Sequence, residues 1–154
     1  MRRPALFLSA LLFAASAAQA QLIDKGFVNG WNIMQDPTLG NGCLIQTVYE
    51  DSSLVRIGYD GEGKRGYFTV FNKSWGEIEP GREYPVTFAL DDRSYDATAI
   101  GFNQNGVPGG TVFFTDRSFV DSIAKARTLS IRNPQGRHVM DIDLSGSAKA
   151  LDYA

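Results

Sequence analysis

The sequence predicts a mainly β fold, an antiparallel β-sandwich or partly open barrel with two short helices. Three observations predict it. Apolar side chains alternate at period two in three consecutive segments between Val55 and Leu90, the spacing that sends neighbours to opposite faces of a strand. Turn-forming clusters rich in glycine, proline and asparagine recur between such segments. Helical spacing is confined to two short stretches near the end of the chain. Many closely spaced strands with few helices point to a sandwich or barrel.

The organising stretch holds Val55, Ile57 and Tyr59, then Tyr67 to Phe71, then Tyr84, Val86, Phe88 and Leu90. Asp60-Gly61-Glu62-Gly63 and Glu79-Pro80-Gly81 separate these segments as turns, so the three read as an antiparallel meander. The third segment has the clearest core face. Before it, Phe27 and Val28 predict a short edge strand, Trp31, Ile33 and Met34 a second, and Cys43 to Glu50 a third. Asp36-Pro37 and Gly40-Asn41-Gly42 mark a loop. After Leu90, Asp91-Asp92-Arg93 predicts a tight turn into a strand from Tyr95 to Phe102, where Ala97 and Ala99 leave room for another element. Asn103 to Gly110 reads as a loop, and Thr111 to Phe114 as a short strand.

Phe119, Val120, Ile123 and Ala126 follow helical spacing, with Ser118 as N-cap and Asp121 completing a weak capping box. They predict a helix over 119–126. Thr128 to Arg132 and Arg137 to Leu144 flank Asn133-Pro134-Gln135-Gly136 and predict a hairpin with a longer loop. Ser145-Gly146-Ser147 is expected to cap a last helix starting near Ala148, with Ala148 and Leu151 inward.

Residues 1–20 have the grammar of a signal peptide. Arg2 and Arg3 form a basic start, Ala5 to Ala15 an apolar run, and Ala18-Gln19-Ala20 a small-x-small cleavage site. The run is short and alanine-rich for a membrane span of about 20 residues. The expectation is a mature domain from Gln21 to Ala154, periplasmic or secreted, with no integral membrane segment once the leader is removed. Its length suits one domain. The 15 basic residues less Arg2 and Arg3 leave 13 against 17 acidic ones, a formal charge of −4. The charges are interspersed. Nucleic acid is a poor partner for such a surface, because phosphates reward clustered Lys and Arg.

Candidate chemistry is sparse. Cys43 is the only cysteine, so it makes no intramolecular disulfide; it reads as a buried thiol or as one paired with another molecule. His138 is the only histidine and falls in register with Met140, Ile142 and Leu144. It reads as structural or rim-exposed; a catalytic role requires a nucleophile and an orienting acid beside it. Asp141 and Asp143 share a strand face with carboxylates ~7 Å apart, suited to a cation or, more simply, to a solvated face. Asp60 to Lys64 has neither calcium-loop nor phosphate-loop spacing and reads as a turn. No motif calls for a cofactor or a metal.

Trp75 is the best binding candidate. It follows Asn72-Lys73-Ser74, a glycosylation sequon, at the exit of a strand. A tryptophan there stacks on a sugar or anchors a protein interface, or else folds with Ile78 over the open end of the core.

Gly42-Cys43, Asn72 through Trp75, Tyr84 through Asp91, and Leu144-Ser145-Gly146-Ser147-Ala148 together resemble a pattern in small uncharacterised secreted or periplasmic β-rich proteins of proteobacteria. The resemblance spans most of the mature chain. The closing Leu-Ser-Gly-Ser-Ala run is also distantly similar to the end of the invasion-associated locus B family of β-rich periplasmic proteins. Neither resemblance supplies catalytic residues. Proteins of the first pattern often carry a second cysteine after the final helix, able to bond the early one. Cys43 has no such mate here, so it stays unpaired or the natural chain is longer.

The functional expectation is an exported, non-enzymatic binding or interaction domain with a protein or glycan partner in the cell envelope. The alternative is a small hydrolase using His138 with an acid or with Cys43.

Overall fold

The computed structural model describes residues 21–91 and 93–154; the expected leader lies outside the described residues. Ten strands follow in chain order: β1 (Ile23–Val28), β2 (Trp31–Asp36), β3 (Gly42–Val48), β4 (Leu54–Asp60), β5 (Arg65–Phe71), β6 (Glu83–Leu90), β7 (Arg93–Gln104), β8 (Val107–Phe114), β9 (Thr128–Arg132) and β10 (His138–Asp143). Helix α1 (Arg117–Lys125) lies between β8 and β9, and α2 (Ser147–Tyr153) closes the chain. The strands form one antiparallel sheet in the order β1-β2-β3-β4-β5-β8-β7-β6-β9-β10, not closed into a barrel. The mainly β class, the antiparallel pairing and the two helices are as the sequence predicts.

Alternation decides which side chains meet. Trp31 and Ile33 of β2, Ile45 of β3, Val55 and Ile57 of β4, Phe68 and Val70 of β5, and Phe88 and Leu90 of β6 all face one concave side and are buried. Helix α1 plugs that side through Phe119 and Ile123, an i, i+4 pair on one helical face. The Phe119 ring stacks on Phe88 at 5.7 Å and meets Phe114 and Tyr95 edge-on at 4.6 and 5.2 Å. Such ring pairs add to what burial alone contributes.

Strand β5 is buried on both faces, because a second, thinner apolar layer covers its outer side. Cross-strand register aligns Met34, Leu44, Gly58, Tyr67 and Phe113 in one outer row. Gly58 leaves the space that the Tyr67 ring occupies; a Cβ there would stand 2.6 Å from it. Two guanidinium groups lie over this layer, Arg65 at 3.5 Å from the Phe113 ring and Arg56 at 4.9 Å from Phe71. Their stems cover apolar surface while the charges stay near water. Tyr59, expected inward with Val55 and Ile57, is exposed beyond the end of the core.

The two ends of the sheet are held together without a strand ladder. The Trp31 indole N–H donates to the Ser145 carbonyl at 3.0 Å, and the Tyr49 hydroxyl donates to the Asp143 carbonyl at 2.6 Å. Burial, and then the Asp143 charge, push the Tyr49 phenol well above its usual range, so it stays a donor. Helix α2 packs across β1, β2 and β3.

Several local expectations change. The loop over 103–110 shrinks to a tight turn: Gln104 pairs with Val107, and Asn105 and Gly106 have φ of 52° and 83°. Two consecutive positive φ values define the hairpin turn that Asn-Gly favours, so Pro108 sits inside β8. The N-cap of α1 is Asp116, whose carboxylate accepts the Ser118 N–H at 2.8 Å, so the helix starts two residues before Phe119. Aspartate is among the residues preferred at that position because its carboxylate satisfies an orphan donor. Helix α2 starts at Ser147, capped by backbone at Gly146 with φ 83°, where a Cβ would meet the Asn29 carbonyl at 2.3 Å. Its buried residues are Ser147 and Ala150, with Ala148 and Leu151 half-buried beside them.

Candidate functional site

The segment between β5 and β6, which carries Trp75, is a fixed structure. Asn72 begins it by accepting the Ser74 N–H and hydroxyl through Oδ1 at 2.8 and 2.6 Å. Its amide nitrogen donates to the Ser53 hydroxyl at 2.9 Å, so the nitrogen of the sequon is held in a hydrogen bond. The Trp75 N–H returns to the Asn72 carbonyl at 3.1 Å, and the Ile78 N–H to the Trp75 carbonyl at 3.0 Å. Farther on, the Tyr84 hydroxyl accepts the Glu79 N–H at 2.8 Å. Gly81 and Arg82 exchange backbone bonds with Gly101 of β7 at 2.8 Å each. The whole span is thereby laid back over the concave side of the sheet.

It does not fill that side. Between this span and the β9–β10 hairpin lies a cleft of about 720 Å³. Its floor is Phe68, Val70, Phe88 and Val112; its walls include Trp75, Ile78, Val86 and Val139. The volume falls within the ~300–1,000 Å³ usual for small-molecule sites, which are mostly apolar with few polar groups. Two small residues keep the floor low. Ala99 and Gly110 lie against each other there, and a Cβ on Gly110 would meet Ala99 at an ordinary 3.6 Å. The room expected beside Ala99 therefore opens onto the cleft. Trp75 is half-buried, packs against the core and lines the cleft.

His138 is not in the expected register. The pairing jumps from His138↔Arg132 to Met140↔Ile131, a β-bulge at Val139. One extra residue reverses the facing of everything before it. Val139 turns into the cleft, while His138 turns outward with Asp141. There His138 Nε2 lies 2.9 Å from Asp141 Oδ1, and the Ser130 hydroxyl donates to the same oxygen at 2.5 Å. The Ser130 bond, and then the His138 one, hold the Asp141 carboxyl below its usual range. The order is serine, acid, histidine, with the acid in the middle. A hydrolase needs the imidazole between nucleophile and acid, so these three are not built to activate Ser130.

The other candidates lie apart. Asp143 is exposed and accepts the Ser145 N–H at 2.8 Å; Asp141 and Asp143 share a solvated face. Cys43 is half-buried and free rather than fully enclosed. Asp60 is buried, and its carboxylate accepts the Gly63 and Glu62 N–H groups at 2.9 and 3.1 Å and Arg65 Nε at 3.2 Å. Those bonds, led by Gly63, hold it below the usual carboxylate range against the opposing effect of burial. The 60–64 segment is a turn closed on its own acid. Among the described residues no three His, Cys, Asp or Glu side chains gather as a metal site, and no helix is long and apolar enough to cross a membrane.

Sequence reasoning missed most of the cleft. The sequence places Gly110 in a loop and Asn133-Pro134 in a hairpin connection, and nothing in it singles out Glu77. The available signal was Gly109-Gly110 directly before the apolar alternation of β8: consecutive glycines in a strand mark a place where bulk is excluded.

No family model matches the chain, and a search of curated proteins finds no significant match. Among solved structures the chain is similar to invasion associated protein B from Bartonella henselae. The TM-score is 0.59 and the identity 12%, over 83% of this chain and 93% of that one. At that identity the likeness is one of fold.

Proposed function

We propose that the chain is an exported binding domain, periplasmic or secreted, whose ligand site is the apolar cleft beside Trp75. The cleft itself carries the reading: a sheet that buries its concave face elsewhere leaves this part open, under a segment fixed by hydrogen bonds. The leader-like residues 1–20 support export. Binding without chemistry is supported by the acid-centred order at Ser130, Asp141 and His138 and by the apolar lining.

A neutral solvatochromic dye such as Nile red tests the site. The mature domain should bind it saturably at one equivalent with blue-shifted emission. Gly110→Val, which fills the floor and suits a strand, should remove binding while the fold is kept. Dye binding indifferent to that substitution overturns the assignment. Export is checked by N-terminal sequencing of exported material, expected to begin at Gln21; a retained Met1 on membrane-bound protein overturns it.

A further inference from the structure

Among the described residues the cleft has one charged lining residue, and it is an acid. Glu77 stands two residues after Trp75 in the same segment, exposed, and it makes no ion pair among the described residues. Lys73 of the same segment is exposed and does not line the cleft, and two flanking arginines have partners of their own. Arg82 binds Glu79 at 3.2 Å, and Arg132 donates to the Gly136 carbonyl at 3.3 Å. The remaining lining residues are apolar or neutral. A molecule seated here meets an apolar floor, an indole and a single negative charge. A carboxylate against an anionic head is repulsive. An ammonium head gains Coulombic attraction to Glu77, and any indole face within ~6 Å adds a cation–π contribution.

Resting on the binding reading above, we infer that the cleft takes a small amphiphile with an apolar body and a cationic, ammonium-type head. The body lies on Phe68, Val70 and Val112 beneath Trp75, and the head sits at Glu77. Calorimetric titration below the micelle concentration, with folding followed by circular dichroism, tests this with three decyl compounds: the trimethylammonium, the glucoside and the sulfate. The trimethylammonium should bind at least ~10-fold more tightly than the other two, a difference of ~1.4 kcal/mol. Glu77→Gln should erase that preference while leaving glucoside binding unchanged. Equal affinity for all three heads, or a cation preference that survives Glu77→Gln, overturns the inference. If Gly110→Val still removes dye binding in that case, the cleft stands and only its head-group selectivity fails. No binding of any amphiphile or of dye overturns both, as does capture of a protein through Trp75 without competition by the amphiphiles.

Discussion

The indole N–H of Trp31 reaches the carbonyl of Ser145 across 114 positions of sequence, at 3.0 Å. One end of a ten-stranded sheet is thereby fastened to the turn that follows its other end. Trp31 is 2% exposed, whereas Ser145 lies at the surface, so the buried indole reaches out to the turn through its N–H. Trp31→Phe keeps an aromatic ring and deletes the donor. It should cost about 0.5–1.5 kcal/mol, the net worth of one hydrogen bond, read as a lower urea midpoint. An unchanged midpoint would mean that α2 alone holds the two ends.

Phe88 is the hinge of the aromatic cluster, edge-on to Phe68 at 5.5 Å and stacked on Phe119 at 5.7 Å. Phe88→Ala should cost roughly 3–5 kcal/mol in denaturant unfolding, through lost burial and an unfilled cavity. Because Phe88 also floors the cleft, the value should fall toward the lower end. A loss under about 1 kcal/mol would show that α1 repacks into the gap.

Trp75 and His138 separate binding from chemistry. Trp75→Ala should weaken ligand binding by at least ~2 kcal/mol, about thirtyfold, while a half-buried wall residue costs the fold less. His138→Ala, on the outer face, should leave binding intact. Unfolding of the Trp75 variant would make that residue a core lid and nothing more; a measured turnover abolished by His138→Ala would restore the hydrolase.

Acid should act through Asp60. Its folded carboxyl titrates below its unfolded value, so the stabilisation is present above the ordinary carboxylate range near pH ~4. It is lost as pH falls through the lower folded value. Melting temperatures followed downward from pH 7 should therefore drop more steeply for the parent than for Asp60→Asn, which starts lower. Parallel curves would place the acid sensitivity elsewhere.

The inner core was legible because period-two alternation is a local signal: Val55 and Ile57, and Phe88 and Leu90, face inward as their spacing requires. The strand order was not, since no local pattern says that β8 returns to β5. Register failed where one residue changed it. His138 shares its spacing with Met140 and Ile142, yet the bulge at Val139 puts it on the other face. Trp75 was legible as a residue of interest from its position at a strand exit. Its cleft was not, because the floor comes from Gly110 and Ala99, conspicuous only by what they lack.

The sheet order also sets a sequence of events. Strands β2 to β5 pair with their chain neighbours, as do β6 to β8, so each meander closes through short turns. The two meet only when β8 finds β5, for example Phe68 beside Val112. Loop-closure entropy puts such a long-range encounter after the local ones. The floor of the cleft straddles that seam, with Phe68 and Val70 from one meander and Val112 from the other, and the Trp75 segment is the tether between them. During refolding the cleft should therefore form late, and Trp75 emission, once that of Trp31 is subtracted, should follow the docking of two halves rather than the formation of either.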